Sequence, residues 1–137
     1  MRRYMVFTDK MLNGIVSIDE DHARLVEIVS KLYGVVLESK SAEALAEVFD
    51  ELKTYTDYHF AHEEELLTKA GYPGLAEHRA GHALMARRLT EYRTQLRDRY
   101  DASLAADMLH HLKQWITGHI MTADREASQY LARCGVR

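Results

Sequence analysis

His59-Phe60-Ala61-His62-Glu63 and His78-Arg79-Ala80-Gly81-His82 each place two metal-ligating side chains four positions apart. In an α-helix such residues differ by about 40° around the axis and about 6 Å along it, so both leave one face. His59 with Glu63, and His78 with His82, therefore predict two helices that each aim two ligands at one interior. Working outward, His22 lies on the periodic segment before them, and His119 with Asp124 on the one after. Four helices would turn five imidazoles and two carboxylates toward a common core, the donor set of a buried two-metal site.

The donor chemistry narrows the ion. Imidazole and carboxylate without thiolate favour Fe, Mn, Zn or Ni over a sulfur-bound centre. A structural zinc site fits poorly, because it is closed by four ligands that usually include Cys, and the one cysteine is Cys134 near the C-terminus. Two octahedral metals offer about twelve positions; the imidazoles fill about five, two bridging carboxylates about four and a bridging oxygen about two, which leaves roughly one for a small ligand. A single histidine on an apolar stripe is better read as a core imidazole bonded to a carbonyl. Seven such groups on core faces would cost several kcal/mol unpaired, and metal ligation removes that cost.

Apolar spacing extends the pattern to an all-α, up-down-up-down four-helix bundle with an N-terminal extended arm. Residues 1–16 lack sustained periodicity and are expected to lie across the bundle, anchored by Phe7 and Ile15, with the bundle over 17–132 and the whole chain, 1–137, as one freestanding domain. The first helix should open at Ser17, where Glu20 completes a capping box; its inward stripe is His22, Leu25, Val26, Val29, Leu32 and Val36. A break at Glu38-Ser39-Lys40-Ser41 lets Ser41 cap the second helix, with stripe Leu45, Phe49, Leu52, Thr56, His59, Glu63 and Leu66. Ala70-Gly71-Tyr72-Pro73-Gly74 reads as a turn. The third helix carries His78, His82, Met85, Leu89, Tyr92 and Leu96; after a connection at Asp98 to Asp101 the fourth carries Leu104, Met108, Leu112, Trp115 or Ile116, and His119. His119 and Asp124 are five apart and point about 140° away from each other on ideal geometry. The last helix is therefore predicted to end or widen near Met121 to Ala123, through a π-type turn or a stop after His119.

The remaining polar residues have simpler readings. His62, His110 and His111 are assigned to the surface or to positions behind the ligands. Glu64 and Glu65 are expected in solvent, pairing with Lys69, since spacing from His59 selects Glu63. Tyr55, Tyr58, Tyr92 and Tyr130 suit bundle cores and rims, where a hydroxyl reaches a polar partner. Cys134 has no partner cysteine.

At 137 residues and net charge −3, with no basic stripe, the chain argues against a nucleic-acid partner. No apolar run approaches the ~20 residues of a membrane span, and no secretory leader follows Met1-Arg2-Arg3. No membrane insertion, a cytoplasmic location and a monomer are the expectations.

The stretch Gly14-Ile15-Val16-Ser17-Ile18-Asp19-Glu20-Asp21-His22, then HxxxE, HxxxH and HxxxxD in that order, resembles the bacterial hemerythrins, oxygen-binding di-iron proteins built as four-helix bundles. Gly71-Tyr72-Pro73 and Trp115-Ile116 fit the same pattern, and the resemblance runs from Phe7 to Tyr130. Two positions depart: Phe7 stands where the family usually has Trp, and Asp21 where it usually has Gln, which bears on pocket shape, autoxidation and partner contacts rather than on the ligands. The resemblance implies two non-haem iron ions with a bridging oxo or hydroxo group and dioxygen as ligand. His78, His82 and His119 would hold one iron, His22 and His59 the other, and Glu63 and Asp124 would bridge. It implies reversible dioxygen binding for storage, delivery or sensing, without catalysis and with a protein partner that receives oxygen left open. The alternatives are a di-iron peroxidase, a nitric-oxide or nitrite reductase, or an oxygen-responsive or iron-responsive signalling module. Carboxylate-rich di-iron bundles carry four anionic donors; the two here favour reversible binding over oxygen activation. Ile18, Leu25, Ile116, Thr117 and Ile120 are the expected pocket wall.

Overall fold

The apolar stripes become the inward faces of sequential antiparallel helices in the computed structural model, which describes residues 4–38, 41–98 and 101–137. Helix α1 spans Val16–Leu37, α2 Ala42–Ala70, α3 Leu75–Asp98 and α4 Ala102–His119; a π-helical turn, Ile120–Asp124, leads into α5, Arg125–Arg133. α1 packs on α2 and α4, α2 on α3, and α3 on α4, closing the bundle. No described helix is long and apolar enough to cross a membrane. The predicted connections fall partly outside the described residues, at Ser39, Lys40, Arg99 and Tyr100, as does the Met1-Arg2-Arg3 start.

The main core joins Leu25, Val29 and Leu32 of α1 to Phe49 and Leu52 of α2, Met85 and Leu89 of α3, and Met108 and Leu112 of α4. A smaller cluster of Ile15, Ile18, Leu67, Ala127 and Leu131 closes the end nearest α5. That second cluster shifts the end of the α2 stripe by one residue: Leu67 is fully buried and Leu66 only half-buried, because α5 covers the Leu67 side. Val36 and Tyr92 are likewise half-buried.

Ser41 caps α2 as expected, its Oγ accepting from the Ala44 amide at 3.2 Å. The other end closes on Gly71 at φ 67°, with the Tyr72 amide on the Leu67 carbonyl at 3.0 Å and the Gly71 amide on Thr68 at 3.1 Å, which meets two of the last carbonyls before Pro73. The Tyr130 hydroxyl of α5 donates to the Ala70 carbonyl at 3.0 Å and reinforces that end.

The capping box at Ser17 does not form. α1 starts at Val16 behind a fully buried Ile15, so Ser17 is already inside the helix and its hydroxyl faces His62 Nε2 of α2 at 3.4 Å. The polar partner at this end is Asp19, whose carboxylate accepts from the amides of Asn13 and Gly14 at 2.8 and 3.1 Å. The arm before it lies on the bundle: Ile15 and a half-buried Phe7 anchor it, joined by buried Met5 and Met11 and by Tyr4 stacked on Tyr33 with centroids 4.3 Å apart.

Candidate metal centre

α1 contributes His22, α2 His59 and Glu63, α3 His78 and His82, and α4 His119, while Asp124 enters from the end of the π turn. All seven side chains meet in one place, and all are buried except His119, which is 11% exposed. Their donor atoms form two overlapping groups, each with atoms within 4.8 Å of one another: Glu63, His78, His82, His119 and Asp124 in one, His22, His59, Glu63 and Asp124 in the other. The two carboxylates belong to both.

The π turn solves the spacing problem that the sequence raised. Widening the helix by one residue brings Asp124 Oδ1 to 2.9 Å from His119 Nε2, where an ideal helix would turn the two apart. Of the two outcomes open in the sequence, widening is the one found; the helix continues through Arg125 in α-helical conformation.

The donors converge without satisfying one another. His22 Nε2 stands 3.0 Å from Asp124 Oδ2, and His59 Nε2 3.5 Å from Glu63 Oε2. His82 Nε2 stands 3.3 Å from Glu63 Oε1. Yet Nε2 of His22, His59, His82 and His119, Glu63 Oε2 and both Asp124 oxygens make no aligned hydrogen bond. Apart from His22 Nδ1 and Ser128 Oγ, these are all the buried side-chain polar atoms without a partner among the described residues. Buried polar groups are ordinarily hydrogen-bonded. Orphans gathered at one point and aimed at a common space fit bound cations, and the mix of imidazole and carboxylate suits iron, manganese, zinc or nickel.

Charge follows the same pattern. Burial alone would raise the Asp124 carboxyl, but His119, His22 and His78 hold it well below the usual range. Burial and the neighbouring Asp124 would raise Glu63, and contacts with His78 and His82 overcome both. Burial would lower His78; the carboxylates of Asp124 and Glu63 beside it instead raise it to about 10. The His78 proton does there what a cation would do, compensating two buried carboxylates.

Behind the donors lies a layer of hydrogen-bonded side chains. His59 Nδ1 donates to Asp21 Oδ2 at 2.9 Å, and Asp21 also accepts from His62 Nδ1 at 2.8 Å and from the Tyr55 hydroxyl at 3.1 Å. His62 is thus one of the residues behind the ligands. Its place was visible in the spacing of Tyr55, His59 and His62, which puts all three on the α2 face toward α1. Glu64 is not a solvated partner of Lys69: Lys69 pairs with Glu65 at 3.0 Å, and Glu64 Oε2 accepts from His82 Nδ1 at 2.9 Å. Glu64 lies one turn beyond Phe60, whose ring stacks on His82 at 3.9 Å, so both share the face toward α3. Trp115 stacks on His119 at 4.4 Å, and Ile116 is buried, so the fourth helix uses both. His110 and His111 are exposed.

Residues 13–131 match the hemerythrin HHE cation binding domain. A bacteriohemerythrin of Stenotrophomonas maltophilia (strain R551-3) is 36% identical over 121 residues, covering 88% of this chain and 77% of its own length. One from Clostridium acetobutylicum is 30% identical over 124 residues, covering 88% and 96%. A crystal structure of a hemerythrin point mutant superposes with a TM-score of 0.87 at 20% identity over 96% of this chain and 99% of that one. The wild-type hemerythrin structure gives 0.78 at 21% identity over 86% and 89%. The structural likeness speaks for the bundle and the sequence matches for the lineage: the chain belongs to the hemerythrin family.

Proposed function

We propose that this chain binds dioxygen reversibly at a non-haem di-iron centre and catalyses no reaction of its own. The supporting observation is the convergence of five imidazoles and two shared carboxylates whose buried atoms are otherwise unpaired. In this reading His78, His82 and His119 hold one iron, His22 and His59 the other, and Glu63 and Asp124 serve both. When bound, a ferrous pair supplies two electrons to dioxygen and recovers them on release.

The chain's own residues hold the donors still and keep water out. Asp21 fixes the His59 ring with Nε2 turned inward, and Glu64 does the same for His82. Phe60 and Trp115 press flat on His82 and His119, and of the expected pocket wall Ile18, Leu25, Ile116 and Ile120 are buried and Thr117 is half-buried. The smaller donor group has one protein donor fewer, so the free position falls on the His22 and His59 side. A single domain over residues 1–137, a monomer and a cytoplasmic location complete the proposal.

Iron content and the visible spectrum of anaerobically reduced protein, followed through air and renewed deoxygenation, test it. Two irons per chain with a charge-transfer band that appears and vanishes reversibly are expected. Irreversible conversion to a ferric form, or turnover of peroxide, nitric oxide or nitrite in excess over protein, would replace this reading with an enzyme.

A further inference from the structure

A π turn carries one residue more than α geometry allows, so its backbone groups need partners that the helix no longer supplies. Here the turn also has a task, since it alone brings Asp124 back to His119. Relaxing it to α geometry would swing Asp124 about 140° from His119.

What grips the turn comes from the other end of the chain. Asn13 Nδ2 donates to the Ile120 carbonyl at 3.0 Å, and Asn13 Oδ1 accepts from Arg125 Nε at 3.1 Å. Ile120 is the first residue of the turn and Arg125 the first after it, so one side-chain amide spans it from end to end. Asn13 is itself held: its amide and that of Gly14 donate to the Asp19 carboxylate of α1, and Gly14 turns the chain at φ 92°. Arg125 also donates to the Lys10 carbonyl, tying a second point of the arm to the same place.

We propose that Asn13 is a positioning residue for the metal centre: its amide locks the π turn in the register that presents Asp124 to both donor groups. The arm is then part of the site's assembly, although it supplies no donor atom. The inference rests on the two-metal reading of the site. Because Asp124 belongs to both groups, loosening the latch weakens both ions together, and the effect passes through Asp124 alone.

The test uses the full chain, the Asn13→Ala, Asn13→Asp and Asp124→Asn variants, and the Asn13→Ala/Asp124→Asn double variant. Asn13→Asp is isosteric and keeps the acceptor facing Arg125 while removing the donor to Ile120. Co2+ titration followed by visible absorption reads metal affinity, and amide hydrogen exchange reads residues 120–125. Either Asn13 variant should weaken Co2+ binding by about tenfold or more and speed exchange across the turn. In the Asp124→Asn background the further loss from Asn13→Ala should shrink to about twofold or less, since a residue acting through Asp124 is not additive with its removal. Undiminished Co2+ affinity in both Asn13 variants, or a loss as large with Asp124 replaced as with it present, would overturn the proposal. Failure of the parent chain to take up Co2+ would instead refute the two-metal reading, and the positioning role with it, while faster exchange at 120–125 would still identify Asn13 as a latch on the backbone.

Discussion

The two halves of the centre are built unequally. Where α3 meets α4, three imidazoles crowd together with centroids 4.5 to 5.2 Å apart, and aromatic rings lie flat on two of them. Where α1 meets α2, two imidazoles stand edge to face at 4.8 Å, and the backing is polar: Asp21 gathers His59, His62 and Tyr55. Among the described residues nothing hydrogen-bonds to His22 Nδ1. One half is saturated with donors and walled by rings, while the other has fewer donors and a hydrogen-bonded network leading to a partly exposed His62. That asymmetry suits a site in which one metal is held for good and the other keeps a place for a guest.

The largest effect should come from removing what the halves share. Glu63→Ala strips a donor from both groups and should take metal content from two ions per chain toward none; one tightly held ion would show that the halves are independent. Single imidazoles should separate them. His22→Ala leaves the larger group intact and should yield one ion per chain, whereas His119→Ala leaves two groups of four and should keep two ions, with only the ion of the α3 and α4 half held more weakly. Equal stoichiometry in both variants, measured by elemental analysis, would break the comparison.

The sequence carried the better part of this architecture because helix geometry maps spacing onto direction. His59 with Glu63, and His78 with His82, needed only that mapping, and the odd spacing of His119 and Asp124 announced the irregular turn. Contacts set by packing between helices were harder to read. Asp21 and Glu64 are ordinary surface acids by local pattern, and only the pairing of α1 with α2 and α2 with α3 turns them onto His59 and His82. Ser17 and Glu20 satisfied the rule for a capping box, but burial of Ile15 moved the helix start and left Ser17 facing His62. Asn13 has no signal in a single sequence, since its partners lie 107 and 112 residues away.

A smaller effect should come from the acids behind each half. Asp21→Asn and Glu64→Gln keep shape but weaken the hold on His59 and His82, and loss of such a partner typically costs about 10–100-fold in metal affinity. Asp21→Asn should act on the ion of the α1 and α2 half and Glu64→Gln on the other, visible as selective weakening of one of two steps in a Co2+ titration. Weakening of the same step by both substitutions would mean that the halves do not bind separately.

The smallest effect, and the one that separates the halves without changing metal, is the pH dependence of the metal-free protein. Hydrogen bonds from His59 and His62 outweigh the burial of Asp21 and hold its carboxyl at about 2, below the ordinary 3.8. The stability this gives is present above the ordinary value and is lost as pH falls through about 2. His78 runs the other way. Raised from 6.5 to about 10 by Asp124 and Glu63 against the opposing effect of burial, it contributes stability that is complete below 6.5 and is lost as pH rises through about 10. Acid therefore loosens the α1 and α2 half through Asp21, and the lowered Glu63 and Asp124, which both halves share, add to the same limb, while alkali loosens the α3 and α4 half through His78. Thermal melts of metal-free protein across pH should show both limbs. Asp21→Asn should shrink the acid limb and leave the alkaline one, and His78→Gln should do the reverse. Metal should flatten the alkaline limb in the parent chain, because ligation displaces the His78 proton and makes its titration irrelevant. An alkaline limb that survives His78→Gln unchanged would place that stability somewhere other than the carboxylates His78 now neutralises.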